Sequence, residues 1–133
     1  MVDEPTVKVR PGGDQFFLRK ARGFARSMEL TLAAGEFNGA ASAASHCVIS
    51  AADALLAKTK GVRSRARDHG AVVRLVGRSG AAGAREKAAQ MEGVLSLKHV
   101  AEYDDRDVSP KEAQEAVLKA RRFLGWVEAR LNE

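Results

Sequence analysis

An all-α fold, an up-and-down antiparallel bundle of four long helices plus one short helix, is what three observations on this sequence predict. Apolar side chains return every third or fourth residue through five separate stretches, which is the period of one helix face. Alanine is abundant, while aromatic residues make up only 5% of the chain; such a composition favours helices and lets them approach closely. No segment alternates apolar and polar residues as a half-buried strand does, and no internal repeat occurs.

The elements follow in order. Residues 1–13 contain Pro5, Pro11, Gly12 and Gly13 and are expected to form a flexible N-terminal arm or a short extended lead-in, with the bundle domain spanning 14–133. Asp14 offers an N-cap oxygen to a first helix over about 14–34, in which Phe17, Ala21, Phe24, Met28 and Leu32 form the apolar stripe and Gly35 marks the stop. The second helix starts near Phe37 or Asn38 and runs to about Lys58, and Gly61 ends it. It opens with a run from Gly39 to Ser45 that carries almost no side-chain bulk, so a neighbouring helix can come close. Ala40, Ala44, Val48, Ala51 and Leu55 form one stripe on it, and Ser42, His46, Ile49 and Asp53 form another, partly polar. A helix apolar over much of its circumference belongs in the middle of a bundle.

Asp68 can cap a short third helix through Val72, Val73 and Val76, which stops at Ser79-Gly80. Gly80 to Gly83 reads as a joint. A fourth helix is expected over about 84–102, with Ala84, Ala88, Met91 and Leu95 as its stripe. The last has the clearest start: Ser109-Pro110-Lys111-Glu112 is a capping box with proline at the first helical position. Ala113, Val117, Ala120, Leu124, Val127 and Leu131 then mark a helix over about 110–131. Phe123 and Trp126 widen its apolar side beyond what one copy is expected to bury, which points to a homodimer through helix faces.

Several function classes are disfavoured. Cys47 is the single cysteine, so no intrachain disulfide forms, and without a Cys/His spacing it is expected to be a small buried hydrophobe. His46, His69 and His99 share no one-turn spacing, and neither a metal nor a cofactor is expected. No run of about 18 apolar residues suggests a membrane span, and the start Met-Val-Asp-Glu-Pro lacks the basic and apolar regions of a signal peptide; the expectation is a cytoplasmic protein. The glycine-flanked serine of acyl-transfer enzymes and the phosphate-cradling P-loop are both missing.

The net charge of +5 is unevenly placed. Residues 51–80 carry Lys58, Lys60, Arg63, Arg65, Arg67, Arg74 and Arg78 against Asp53 and Asp68. Such an excess either attracts phosphate, making Lys58, Lys60, Arg63, Arg65 and Arg67 candidate nucleic-acid contacts, or is a solvated connector with lysines suited to a helix C-terminus. His46 and Asp53, two turns apart on one side of the second helix, either share a cleft or form a polar stripe. Lys98, Glu102 and Tyr103 crowd a helix end beside the acidic loop from Asp104 to Asp107. A lysine beside a tyrosine can bind phosphate and transfer a proton; alternatively, Tyr103 packs over the loop and Lys98 neutralises the helix end.

The segment Ala-Glu-Tyr-Asp at 101–104, followed by Val-Ser-Pro-Lys-Glu-Ala at 108–113 and Ala-Arg-Arg-Phe-Leu at 120–124, resembles the HEPN domain family. Phe17 to Leu32 is similar to that family's first helix, Ser45 to Leu56 to its second and Asp68-His-Gly-Ala-Val to its short third, so the resemblance covers roughly 14–131. It implies a helical bundle, commonly a homodimer. It also implies kinship with metal-independent ribonucleases and with toxins paired with a nucleotidyltransferase-like protein. Activity in such proteins rests on an arginine and a histidine a few residues apart, joined across the dimer. Here the corresponding place holds Lys98 and Tyr103, so the resemblance implies a non-catalytic dimer that binds a protein partner, RNA or a nucleotide. Arg63 and His69, with five residues between them, have the spacing but lie in the basic connector. The alternative they support is a metal-independent ribonuclease of toxin–antitoxin type, in which His69 is the acid–base group and Arg63 stabilises phosphate charge.

Overall fold

The computed structural model describes residues 4–65 and 69–133. Among them the elements run β1 (Thr6–Lys8), α1 (Gly13–Ala33), α2 (Phe37–Lys60), β2 (Val62–Ser64), α3 (His69–Gly77), α4 (Ala84–Leu95), α5 (Lys98–Tyr103) and α6 (Pro110–Leu131). The all-helical class holds, but the tally of four long helices plus one short helix does not. The expected fourth helix divides at Ser96 and Leu97 into α4 and α5. There the Ser96 hydroxyl donates back to the Gly93 carbonyl (2.9 Å) and Leu97 N–H to Val94 (3.2 Å). A serine competing for backbone carbonyls beside a glycine tightens the turn and interrupts the regular ladder.

α2 is the central helix. Ala40, Ala41, Ala44, Ala51, Ala52 and Ala54 are fully buried on it; their lack of bulk brings α1 and α6 close on either side, with α5 across its first half. Its most apolar stretch has a mean hydropathy of 1.3, which by length and composition alone would suit a membrane-crossing helix. Here 67% of that stretch is buried inside the fold, as befits a core helix. The α1–α2 turn pivots on Gly35 at φ 76°, a left-handed conformation that glycine adopts without steric cost. Phe123, Met28, Leu55, Leu56 and Met91 fill the core around α2.

β1 and β2 form an antiparallel pair in the register Thr6↔Ser64, Val7↔Arg63 and Lys8↔Val62. It is extended by Val9 N–H to Gly61 (2.8 Å) and Arg65 N–H to Pro5 (3.0 Å). The expectation of no strand is corrected here: a three-residue strand is too short to display the two-residue alternation by which strands are read. Asp68, assigned as the cap of the third helix, lies outside the described residues.

The surplus expected at Phe123 and Trp126 is also corrected. Phe123 is fully buried, and Trp126 lies against it with its indole N–H donated to the Ala82 carbonyl (2.9 Å). Among the described residues, the large apolar side chains left exposed are Phe16, Leu30, Leu118 and Tyr103.

Candidate functional site

Two one-turn pairs on crossing helices build a polar cluster between α2 and α5. Ser42 and His46 project from α2, Lys98 and Glu102 from α5, each pair four residues apart and so on one helix face. The Glu102 carboxylate is the hub. One oxygen accepts from Lys98 Nζ (2.8 Å), the other from the Ser42 hydroxyl (2.9 Å), and His46 Nε2 stands 3.9 Å from the latter. Burial alone would raise the Glu102 pKa. The hydrogen bonds from Lys98 and Ser42, with the charges of Lys98 and His46, outweigh it and hold the carboxyl below its usual range. The His46 ring stacks on Phe24 of α1, with centroids 5.2 Å apart. Tyr103 is 73% exposed, its ring 5.9 Å from Lys98 Nζ and tilted against His99.

This arrangement unites Lys98, Glu102 and Tyr103 with His46, but not His46 with Asp53. Asp53 turns away to accept the Ser64 N–H of β2 (3.3 Å). Burial pushes its pKa up to about 6, against the lowering effects of that hydrogen bond and of the Arg63 charge. Ser42 and Phe24 were visible in the sequence only as members of helix stripes. The four-residue spacing of Ser42 to His46 and of Lys98 to Glu102 was the signal that the two pairs could meet. Chemically, Glu102 accepts a hydrogen bond on each of its oxygens, and the ammonium of Lys98 is neutralised by its own helix neighbour.

A second feature is the end of the molecule where α2 stops and α1 begins. Lys58 and Lys60 are exposed on the last turn of α2, and Arg65 is exposed just past β2. The strand pairing adds exposed Lys8 and Arg10 to the same end. Arg67 lies outside the described residues. Among the described residues, none of Lys8, Arg10, Lys58, Lys60, Arg65 and Arg78 forms an ion pair. Lys60 and Arg78 line a groove of about 400 Å³ floored by Leu56, Val62 and Leu75.

Arg63 donates to the Ser64 carbonyl (3.2 Å) and sits by Asp53, while His69 opens α3 and lines a cleft with Arg74, Glu92 and Ser96 of the α3–α4 side. Cys47 is buried, and burial with the nearby Glu128 charge pushes its thiol up to about 12, so it is inert at neutral pH. Among the described residues, no three His, Cys, Asp or Glu side chains converge as metal ligands.

The family model for the HEPN domain matches residues 15–130, nearly the whole chain. No curated protein matches it.

Proposed function

The chain belongs to the HEPN domain family, and from that premise we propose that it is a non-catalytic helical dimer that binds nucleic acid through its basic end. The observation that carries this reading is the group of exposed cations at Lys8, Arg10, Lys58, Lys60 and Arg65, none of them spent on a carboxylate. Phosphates attract such groups by releasing condensed counterions. The cluster around Glu102 supports the non-catalytic part. The Lys98 ammonium is held on Glu102 instead of facing a phosphate, and the Glu102 carboxylate already accepts from Lys98 and Ser42. A nucleotidyltransferase-like protein is the proposed companion, on the strength of the family alone.

Titration of a labelled RNA tests this reading. Affinity should fall about tenfold or more as salt rises from about 50 to about 200 mM, and the joint substitution Lys58→Gln, Lys60→Gln should flatten that dependence. The RNA should remain intact. A flat salt response would reject the binding site, and metal-free cleavage abolished by Lys98→Ala or Tyr103→Ala would reject the non-catalytic role. The competing reading, a ribonuclease acting through Arg63 and His69, rests on their five-residue spacing; it requires growth arrest on expression, relieved by His69→Ala.

A further inference from the structure

We infer that the basic end is a clamp for single-stranded nucleic acid, in which Phe16 is the stacking surface for an unpaired base; this rests on the nucleic-acid reading above and adds to it the form of the ligand. Phe16 is 45% exposed near the start of α1. Its inner side is held by Phe17, edge to face at 5.9 Å, and Phe17 packs on the core. The ring is therefore anchored on its core side, with 45% of the residue's surface still open to solvent. Two cations stand over it, Lys20 Nζ 4.8 Å and Arg19 Cζ 5.5 Å from the ring centroid, so a nucleotide whose base stacks here displaces them from the ring and meets them at its phosphates. Neither forms an ion pair with a described carboxylate.

The sheet joins this ring to the rest of the basic end. Val9 is bonded to Gly61, next to Lys60. Arg10 then leads directly into α1, its carbonyl accepting from the Gly13 N–H (3.0 Å). Gly13, Phe16 and Lys20 recur at three and four along one side of α1. Lys60, Arg10 and Lys20 thus lie on adjoining segments at this end, with one exposed ring beside Lys20. A duplex hides its base faces and gains nothing from that ring; an unpaired strand offers a face to it and phosphates to its neighbours. RNA and DNA strands share this chemistry.

The test is fluorescence anisotropy of the full chain with three labelled oligonucleotides of one length: single-stranded RNA, single-stranded DNA and duplex DNA. Phe16→Ala should weaken single-strand binding about tenfold while leaving duplex binding unchanged, and Phe16→Tyr should restore it. Arg10→Gln should weaken both single-strand and duplex binding, and circular dichroism should show every variant folded. Whichever single strand binds more tightly names the source of the ligand. If single strands and duplex bind alike and Phe16→Ala changes neither, the stacking inference is overturned while the basic-end reading stands. If no oligonucleotide binds and the salt dependence is flat, the wider reading falls with it.

Discussion

At Asp53, a carboxylate that the helical period sets on the same side of α2 as His46 turns instead to the amide of Ser64 and ties the centre of the core helix to β2. Folding raises its pKa from 3.8 to about 6, so between those values the folded chain binds more protons than the unfolded one. This contribution therefore favours the fold at acid pH and is lost as pH rises from about 4 to about 6. Asp53→Asn keeps an oxygen for the Ser64 amide and removes the buried charge. It should stabilise the protein by about 1–2 kcal/mol at pH 7, discounted for partial exposure, with the difference vanishing near pH 4. Urea titrations at the two pH values check this; a variant less stable at pH 7 would show that the pairing with Arg63 outweighs burial. The sequence set Asp53 on the right helix face but not against its partner. Ser64 lies on a strand too short to recognise, and a one-sided helix pattern says nothing of what packs opposite. Lys98, Glu102 and Tyr103 were legible as a group because they lie within the six residues of α5; Ser42 and Phe24 reach them only through the fold.

The start of α6 was the most legible, because its cap is written in adjacent residues, whereas at α1 Gly12 and not Asp14 stands at the N-cap. At α6 the Ser109 hydroxyl accepts from Glu112 N–H (3.1 Å) and the Glu112 carboxylate accepts from Ser109 N–H (3.0 Å). Arg106 holds the same carboxylate from outside, and its hydrogen bond together with those of Ser109 lowers the Glu112 pKa to about 2. Ser109→Ala should cost about 1 kcal/mol, measurable as a lower midpoint in urea with an unchanged slope; no loss would mean that Pro110 and Arg106 alone fix the start. The division between α4 and α5 was not legible in the same way. The apolar stripe runs straight across it, and the tightening at Ser96 is a choice of hydrogen-bond partner that leaves the period of the stripe nearly intact.

At the scale of the whole molecule, the side where α1 lies against α6 is the best candidate for a contact between copies. Leu30 is 72% exposed there, beside a cleft of about 390 Å³ lined by Ala25, Met28 and Leu124. Arg121 pairs with Glu29, and Arg22 with Glu128, across the same two helices. A face carrying both signs around an apolar centre can complement a second copy of itself through a two-fold axis. Light scattering should give twice the chain mass, and Leu30→Glu should halve it; a parent protein of single-chain mass at every concentration would remove this face from consideration. The apolar pattern led to an expected surplus at Phe123 and Trp126, since period alone does not reveal that Phe123 is buried or that Ala82 lies within reach of the indole. The short sheet, finally, bears on how the chain finds its fold. Its two strands are separated in sequence by the whole of α1 and α2, and closing so long a loop for a few hydrogen bonds is entropically unfavourable. Once α1 has doubled back along α2, however, Lys8 and Val62 are already neighbours and that entropy has been spent. Strand pairing is thus expected to follow closure of the α1–α2 hairpin, and Lys8 and Arg10 are expected to reach Lys58 and Lys60 only after that hairpin has formed.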